Sequence, residues 1–411
     1  MNKQRSWMMV GCAACLTAGA VTFDVGNVRQ RYPWNGLVDI DYTVAYGAEE
    51  TQLTLADAQL RMEVVDAAAS PATTNVARSF VKQYGLDLAP GAHRAVWNAT
   101  ADGVTTVSSA LKVSLSLVRY PQKYLVVDLS NGGRSPCHSV AFLDEPPAGG
   151  FNTDEYKTKK IVFRLVPAGT FLMGSPESEL GHASGDVERQ RTVTLTQPFY
   201  MSIFEFTRAQ YTALTGKIPG DNRGFGATRP YTSCPLSTFR GTGATVTAMS
   251  LLGILSRKTG MTFDLPSEAQ WEWACRAGTT TPFNDGVSSA TSTAFNQSAA
   301  AVARMKATAS ASGDRHPGWH TEVGSYAPNA WGLYDMHGNV REILRDRYMD
   351  VLPEGPVVDP AGGSSGTNFC WRGGCYTSTA TECRSAARSK WGQDSSSTEG
   401  GFRIIAWPQG K

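Results

Sequence analysis

The sequence predicts two domains of different class, an all-β sandwich followed by an α+β domain. The first observation is a two-residue alternation of apolar and polar side chains in several segments between residues 21 and 145, which is typical of half-buried strands. The second is a Pro- and Gly-rich stretch at 146–160 that indicates a linker. The third is that helix signals appear beyond it, where the candidate strands become short and scattered. The 411 residues are also long for one domain.

The first domain contains several candidate strands separated by turn-rich stretches. Apolar and polar residues alternate in GLVDIDYTV (36–44), and further strands are predicted for LRMEVVDA, HRAVWNA, LKVSLSLV and YLVVDLS. Several short strands of this kind favour a small β-sandwich. The stretch GAHRAVWNATADG resembles a segment of immunoglobulin-like and fibronectin-like bacterial modules, so we expect an immunoglobulin-like sandwich. His93 and Trp97 are expected to pack rather than to form a site.

Two helices are predicted in the second domain from capping boxes, in which two side chains bond the free amides at a helix start. Thr207 and Gln210 form the first box, and Ser267 and Gln270 form the second. A glycine follows each helix, which is a common stop signal. A domain with few regular elements must stabilise its long loops in other ways, such as disulfides and bound ions.

The N-terminus has the features of a cleaved export signal. Lys3 and Arg5 provide a basic start, and a mostly apolar or small stretch at 7–20 ends in Ala-Gly-Ala, a small-x-small cleavage pattern. The stretch is too short for a membrane span, which requires about 20 apolar residues. Residues 1–20 are therefore interpreted as a signal peptide. We expect the protein to be exported to the periplasm, the cell surface or the medium, with no membrane span.

Net charge and cysteine content restrict the partners and the compartment. A formal charge of +2 without a Lys/Arg-rich run argues against a nucleic-acid partner. Two of the eight cysteines lie in the signal, and an even number in the rest of an exported chain indicates disulfides first. No Cys-x2-Cys pair is present, so a zinc ribbon is not expected. The remaining cysteines are Cys137, Cys234, Cys275, Cys370, Cys375 and Cys383.

The order of motifs in the second domain resembles that of the formylglycine-generating enzyme (sulfatase-modifying factor) family. The motifs are VPAGTFLMGS, FDLPSEAQWEWACRAG, NAWGLYDMHGNVREI, WRGGCY…CRSAARS and GFRIIAW. The resemblance implies a C-type-lectin-like fold with little regular secondary structure. The expected organisation is a signal peptide at 1–20, a β-sandwich at 21–145, a linker at 146–160 and the family domain at 161–411.

The segment DMHGNVRE is a candidate calcium site. Calcium requires several oxygen ligands, and two carboxylates with a glycine turn can supply them. In the family, matching positions bind calcium through two side chains and two main-chain oxygens, which correspond to Asp335, Gly338, Val340 and Glu342. The alternative is that Asp335 caps a turn and Glu342 forms a surface salt bridge.

A second, weaker metal site is suggested by the resemblance at Asn296 and Asp314. His316 and His320 have the spacing of a zinc-binding helix, but Pro317 and Gly318 lie between them and make a helix improbable. We therefore expect two solvated loop histidines.

Copper is not expected. In the members that oxidise a sulfatase cysteine to formylglycine, two nearby cysteines after Gly-Gly bind copper, and thiolates suit Cu(I). Here the corresponding loop is shorter, and TSTAT (377–381) leaves no cysteine at either position. Cys375 stands directly after Gly-Gly, where the family usually has serine. The alternative is an active oxidase with displaced cysteines, Cys370 and Cys375.

The resemblance also implies a disulfide. The family places a bridging cysteine at the end of the EWACRAG helix, so Cys275 is expected to pair with Cys383. A Cys375–Cys383 bridge and free thiols remain alternatives.

These observations favour a binding, recognition or structural module that lacks the oxidase centre, although an oxidase remains the alternative. The partner would be a peptide, a protein or a glycan at a C-terminal groove, since loops on a rigid scaffold commonly carry function. A solvated loop without a partner is the alternative for the serine-rich part. The expected ligand surface consists of Thr377, Ser378, Thr379, Trp391, Ser395 and Ser396.

Overall fold

The computed structural model divides into two compact units between Tyr120 and Pro121. The predicted signal peptide, residues 1–20, lies outside the residues that the structure describes. Those residues are 21–46, 58–68, 73–77, 89–100, 104, 110–119, 123–220, 226–233, 235–241, 246–287, 291–309, 317–363, 366–392 and 395–407.

The first unit consists of two three-stranded antiparallel sheets, with strand orders β1-β2-β5 and β4-β3-β6. Their strands are β1 (Thr22–Gln30), β2 (Leu37–Ala45), β3 (Ala58–Asp66), β4 (Thr73–Ala77), β5 (Gly91–Asn98) and β6 (Leu111–Arg119).

Both sheets of this unit contribute to one apolar core. Val38 and Ile40 from β2 are fully buried, and Met62 from β3 lies in the same cluster. The alternation in β2 therefore has the predicted cause, one face on the core and one towards solvent. Trp97 is also fully buried, and the His93 ring stacks on Tyr42 at 5.2 Å, so both have the expected packing role. An immunoglobulin-like topology stays a prediction.

The described residues of the second unit form four sheets, of which the largest has six strands in the order β13-β21-β12-β9-β7-β8. The others are β10-β11-β17, β19-β18-β16-β20 and the pair β14-β15. The strands are β7 (Tyr124–Asp128), β8 (Ser139–Leu143), β9 (Lys160–Val166), β10 (Gly169–Met173), β11 (Arg191–Leu195), β12 (Phe199–Ser202), β13 (Phe263–Asp264), β14 (Ala303–Arg304), β15 (His337–Gly338), β16 (Arg341–Arg347), β17 (Val357–Val358), β18 (Asn368–Arg372), β19 (Ser389–Gly392), β20 (Gly400–Gly401) and β21 (Ile405–Ala406).

Both predicted helices form, and both begin with the predicted capping box. The sequence does not predict the other helices, the longest of which among the described residues spans Ser292–Val302. The α-helices are α1 (Asp154–Thr158), α2 (Arg208–Thr215), α3 (Leu236–Phe239), α4 (Leu251–Thr259), α5 (Glu268–Arg276), α6 (Ser292–Val302) and α7 (Lys306–Ala309). Two 3-10 helices span Asp186–Glu188 and Ala380–Cys383. Mixed sheets with short helices agree with the α+β prediction.

The predicted domain boundary at 145 is wrong. Strand β7 pairs with β9 and β8, so it belongs to the second unit and not to the sandwich. The stretch 146–160 is not a simple linker either, because it contains α1 and buries Phe151 and Tyr156. Local alternation indicates that a strand forms, but it does not indicate which sheet the strand joins.

Helix α5 lies at the centre of the second unit. It contacts β10, β11, β16 and β18, and its Trp271 is fully buried in the main core cluster. The helix therefore fixes β16 and β18, whose ends carry the candidate site. None of the helices formed by the described residues combines the length and apolar character that a bilayer crossing requires.

Candidate functional site

A buried ion network attaches β18 to helix α5. Arg372 donates to Glu268 (2.9 Å) and to Glu272 (2.8 Å), and Arg388 also donates to Glu268 (2.6 Å). Burial by itself would raise the pKa of Glu268, but Arg388 and Arg372 lower it to about 2. The carboxylate is thus ionised at neutral pH and holds the end of β18 in place.

Two glycines after β18 turn the chain sharply at the start of the site. Gly373 and Gly374 have φ values of +88° and +70°, which side chains rarely permit. A Cβ on Gly374 would also lie 2.6 Å from the Cys383 sulfur. The turn brings Cys375 over the 3-10 helix that ends at Cys383.

The Cys375 side chain is fully buried among hydroxyl groups. Its sulfur lies 3.1 Å from Thr377 Oγ1 and 3.5 Å from Ser378 Oγ, and its backbone N–H donates to Ser378 Oγ at 3.1 Å. Its sulfur also interacts with the guanidinium of Arg341.

Arg341, the first residue of β16, is the centre of this arrangement. It donates to Ser378 Oγ at 3.1 Å and lies 3.5 Å from a Glu382 carboxylate oxygen. Burial lowers the pKa of Arg341, but Cys375, Glu382 and Glu399 outweigh that effect and raise it. Its Nε is buried and makes no hydrogen bond within the described part of the chain. We refer to Arg341, Cys375, Thr377, Ser378, Glu382 and Glu399 as the Arg341 cluster.

The Arg341 cluster is partly open to solvent. Thr377 is exposed and donates to Glu399 at 2.8 Å, and Thr379 is exposed at the start of the 3-10 helix, where it forms a capping box with Glu382. Ser378, by contrast, is buried. Of the three predicted surface residues in this loop, Thr377 and Thr379 can therefore contact a ligand directly. Ser378 instead accepts the hydrogen bond from Arg341.

The tryptophan part of the predicted surface lies on the neighbouring strands. The Trp391 ring stacks on Trp371 at 4.7 Å, and neither indole N–H has a hydrogen-bond partner in the described residues. Gly400 packs directly on the Trp371 ring, next to Glu399 of the Arg341 cluster. Residues 399–400 therefore connect the two parts. Ser395 and Ser396 are exposed.

The predicted Cys275–Cys383 bridge is wrong in this structure, because both residues are free thiols. The Cys275 sulfur lies 3.7 Å from Ser385 Oγ, so the residue facing it is two positions beyond Cys383. Burial raises the pKa of the Cys275 thiol to about 12, and that of Cys383 is also raised by burial. Cys234 lies outside the described residues.

The two cysteines of the oxidase alternative occupy different surroundings. Cys370 lies in the main core cluster, where its thiol donates to Glu268 at 3.4 Å. Cys375 lies in a separate small cluster with Ala309 and Tyr376. The structure therefore does not bring the two side chains into one pocket.

The proposed calcium segment contains a buried ion pair. Glu342 receives hydrogen bonds from Arg403 at 2.7–2.8 Å and from Trp271 Nε1 at 2.6 Å. Glu342 therefore forms a salt bridge, as the alternative predicts, but this salt bridge is buried and does not lie at the surface. Gly338 is required where it stands, because a Cβ there would lie 2.2 Å from a main-chain oxygen.

Asp335 is the member of this segment that best fits a cation. Its Oδ2 accepts from Gly324 N at 2.6 Å, but its buried Oδ1 has no hydrogen-bond partner among the described residues. Burial raises the pKa of Asp335 to about 6. Burial and the neighbouring carboxylates of Asp335 and Glu342 also raise the pKa of Glu205, which accepts from Asn339 Nδ2 (2.5 Å) and Val340 N (3.1 Å). Three carboxylates, those of Glu205, Asp335 and Glu342, lie near one arginine, Arg403. A bound cation would therefore reduce the repulsion between the carboxylates.

No three His, Cys, Asp or Glu side chains converge on a metal-binding point in the described segments. A calcium ion here would therefore depend on Asp335 Oδ1 and on main-chain oxygens, as the sequence predicts for Gly338 and Val340. For the weaker site, Asn296 is exposed on α6, and Asp314 lies outside the described residues. His320 is fully buried, so the expectation of a solvated side chain is wrong, whereas His316 is not described.

Sequence reasoning missed several charged residues of these sites. Arg341 and Glu399 have no spacing signal that relates them to Cys375, and Glu205 and Arg403 lie far from the calcium segment in the chain. Their position within the family motifs, such as GFR for Arg403, is the signal that could have identified them.

Comparison with known proteins identifies the family of the second unit. Residues 151–407 match the sulfatase-modifying factor enzyme 1-like domain. The chain is 31% identical to the mouse formylglycine-generating enzyme over 148 residues, which are 34% of this chain and 38% of that protein. It is 42% identical to the Streptomyces coelicolor formylglycine-generating enzyme over 85 residues, 20% of this chain and 27% of that protein. The chain thus spans well under half the length of these relatives.

Two solved structures are also similar to this chain. PvdO from Pseudomonas aeruginosa is 26% identical, with a TM-score of 0.49, over 60% of this chain and 94% of that chain. Treponema denticola variable protein 1 is 21% identical, with a TM-score of 0.48, over 60% of this chain and 95% of that chain. Because the domain match covers more than half of its residues, this chain belongs to the sulfatase-modifying factor (formylglycine-generating enzyme) family.

Proposed function

We propose that this protein is an exported recognition module that binds a ligand at the Arg341 cluster and does not perform copper-dependent cysteine oxidation. The observation that carries the proposal is the separation of the thiols. Cys370 bonds to Glu268, and Cys375 contacts Thr377 and Ser378. Oxidation as the family performs it requires two thiolates on one copper ion, which favours soft ligands.

The chemistry of the Arg341 cluster suits a polar ligand. Arg341 and the exposed hydroxyl of Thr377 can donate, whereas Glu382 and Glu399 can accept. The half-buried Trp391 offers an aromatic face nearby. Convergent donors and acceptors beside an aromatic ring are typical of binding sites, and here they suit a peptide, protein or glycan.

The proposal also includes an immunoglobulin-like first domain, export of the protein and a structural calcium ion. One observation supports each of them. Two three-stranded sheets around a shared core are compatible with an immunoglobulin-like domain ahead of the family domain. The basic and apolar start of the chain supports export. The unpartnered Oδ1 of Asp335 supports a structural calcium ion, which Asp335 and the carbonyls of Gly338 and Val340 would hold. The carboxylate of Glu342, the fourth ligand that the sequence predicts, is bound by Arg403.

The test is a peptide and glycan array probed with the full chain and its Arg341→Gln and Thr377→Ala variants. Ligands bound by the wild type should lose binding in both variants, because each removes a donor from the cluster. Arg134→Gln, at an exposed arginine between β7 and β8, is the matched control and should bind as the wild type does.

The oxidase alternative is tested in the same preparation. The copper-treated protein is incubated in air with a sulfatase-type Cys-x-Pro-x-Arg peptide, and aldehyde is measured. We expect none. Aldehyde that disappears in Cys375→Ser would contradict the proposal, as would array binding that is unchanged in both cluster variants.

A further inference from the structure

The turn after β18 brings two of the free cysteines next to each other. Gly374 packs directly on Cys383, since a Cβ at Gly374 would lie 2.6 Å from the Cys383 sulfur and 3.1 Å from the Cys383 Cα. Burial raises the pKa of the Cys383 thiol, the nearby Cys375 thiol raises it further, and the backbone N–H of Cys375 opposes both effects. Cys375 and Cys383 are therefore neighbours in space, although eight positions separate them in the chain.

The other described cysteines have different neighbours. The sulfur of Cys275 lies 3.7 Å from a serine hydroxyl, and the thiol of Cys370 donates to a glutamate in the main core cluster. Cys137 is exposed and precedes β8. Among the cysteines that the structure describes, Cys375 and Cys383 are therefore the pair whose sulfurs can react with each other.

Hydrogen bonds hold the backbone of both cysteines in place. His337 Nε2 accepts from the backbone N–H of Asn284 at 3.2 Å, so its Nδ1 carries the proton and donates to the carbonyl of Cys383 at 2.7 Å. The carbonyl of Cys375 accepts from the backbone N–H of Ser378 at 2.9 Å. Bringing the two sulfurs together therefore requires rotation of a side chain and not a movement of the chain.

The side chain of Cys375 points towards the Arg341 cluster in this structure. Its sulfur lies 3.1 Å from Thr377 Oγ1 and interacts with Arg341, and it packs in a different apolar cluster from Cys383. Rotation about the Cα–Cβ bond of Cys375 would move the sulfur away from these groups and towards Cys383. A disulfide requires Cα atoms about 4.4–6.8 Å apart, a separation typical of segments that pack directly on each other.

We propose that Cys375 and Cys383 form a reversible disulfide in the exported protein, and that this bond withdraws the Cys375 sulfur from the Arg341 cluster. Each thiol loses its hydrogen atom as the S–S bond forms. The two electrons and two protons reduce the disulfide of an oxidant, such as oxidised glutathione, to two thiols. The bond closes the loop that carries Thr377, and it leaves Arg341 and Thr377 available to a ligand.

The effect on the ligand rests on the function proposed for the Arg341 cluster, whereas formation of the bond does not. In the thiol form, the Cys375 sulfur competes with a ligand for Arg341 and for the hydroxyl of Thr377. In the disulfide form this competition is absent. We expect the disulfide form to bind the array ligands about tenfold more tightly, because Arg341 then donates to the ligand instead of to sulfur.

Peptide mapping tests the bond directly. The full chain is equilibrated with oxidised or with reduced glutathione, and free thiols are blocked with N-ethylmaleimide in denaturant before tryptic digestion. Trypsin cleaves after Arg372 and Arg384, so both cysteines remain in the peptide 373–384. After oxidation this peptide should be unlabelled and two hydrogen atoms lighter, and after reduction it should carry two labels. Cys275→Ser is the matched control and should give the same result.

Thermal unfolding and ligand binding test the consequences of the bond. The oxidised wild type should melt at a higher temperature than the reduced wild type, because a disulfide restricts the unfolded chain. Cys383→Ala and Cys375→Ser each lack one of the two sulfurs. The melting temperature and the ligand affinity of each variant should therefore be the same in both buffers, and either variant suffices if the other does not fold.

Two peptide results would overturn the proposal. One is a peptide 373–384 that carries two labels after oxidation, and the other is its cross-link to the peptide that contains Cys275. Formation of the bond with equal ligand affinity in both forms would contradict the effect on the ligand and leave the function proposed for the Arg341 cluster in place. Formation of the bond without any array ligand would contradict that function.

Discussion

Asp335 has a left-handed backbone conformation, with φ of +54°, that few side chains adopt. Aspartate and asparagine tolerate it better than other residues, because their short polar groups can bond locally. The nearby Asn339 has φ of +57° and donates to Glu205. At the scale of single residues, the DMHGNV turn therefore depends on two polar residues with left-handed backbone conformations. This backbone conformation directs the side chain of Asp335 inward.

Calcium removal should destabilise the wild type through Asp335. If calcium binds only the folded state, a hundredfold excess over Kd contributes about 2.7 kcal/mol to the free energy of unfolding. A chelator should therefore lower the melting temperature of the wild type but not that of Asp335→Asn. The exposed Asp350→Asn is the matched control and should remain sensitive to the chelator.

The variant Glu342→Ala does not test the calcium site. It would leave Arg403 buried without its carboxylate, and breaking such a pair costs about 3–5 kcal/mol regardless of calcium. A wild-type melting temperature that is indifferent to chelation would exclude the calcium site.

At the scale of secondary-structure elements, strand β16 contributes to the start of helix α5. Asp346 Oδ2 accepts a hydrogen bond from the backbone N–H of Glu268 at 2.9 Å, at the first residue of the helix. Asp346 is buried, and its Oδ1 has no hydrogen-bond partner in the described segments. Burial, opposed by that backbone bond and by Arg345, raises the pKa of Asp346 to about 7.

Asp346→Asn should change the pH dependence of stability. The folded state binds the Asp346 proton more tightly than the unfolded state, so wild-type stability falls as pH rises from about 4 to 7. A rise in pKa from 3.8 to about 7 corresponds to about 4 kcal/mol of unfolding free energy. The variant cannot titrate at this position and should gain stability relative to the wild type over that range.

Urea unfolding of both proteins at several pH values measures this difference. Asp350→Asn, at an exposed carboxylate, should follow the wild-type profile. Parallel profiles for the wild type and Asp346→Asn would show that Asp346 titrates normally in the folded protein.

At the scale of the whole molecule, the second unit requires residues that precede its family motifs. Strands β7 and β8 complete the six-stranded sheet at the edge beyond β9. Leu125 and Val127 of β7 are fully buried. Without these strands, β9 would become an unprotected edge beside exposed apolar surface, which promotes aggregation.

A fragment of residues 121–411 should therefore fold, whereas a fragment of residues 161–411 should not. We expect cooperative thermal unfolding for the longer fragment, since it retains the complete sheet. The shorter fragment should be insoluble or should unfold without a cooperative transition. Equal melting temperatures for the two fragments would place the true boundary near residue 161, where the sequence had predicted it.

The sequence by itself determined the features that depend on residues close together in the chain. The capping boxes of α2 and α5 join residues three positions apart, and the alternation in β2 reflects one strand on one core. The order of the family motifs also predicts the class of the second domain. Local patterns suffice for these features because the interactions that produce them are local.

Tertiary structure decided the features that join distant segments. The sheet that β7 joins depends on pairing with β9, and the residue facing Cys275 is Ser385 because of how two remote segments align. The bond of Arg341 to Ser378 and that of Glu342 to Arg403 arise in the same way. A shift of two residues in the alignment of these segments decides whether Cys383 or Ser385 faces Cys275. No local pattern in the sequence encodes that alignment.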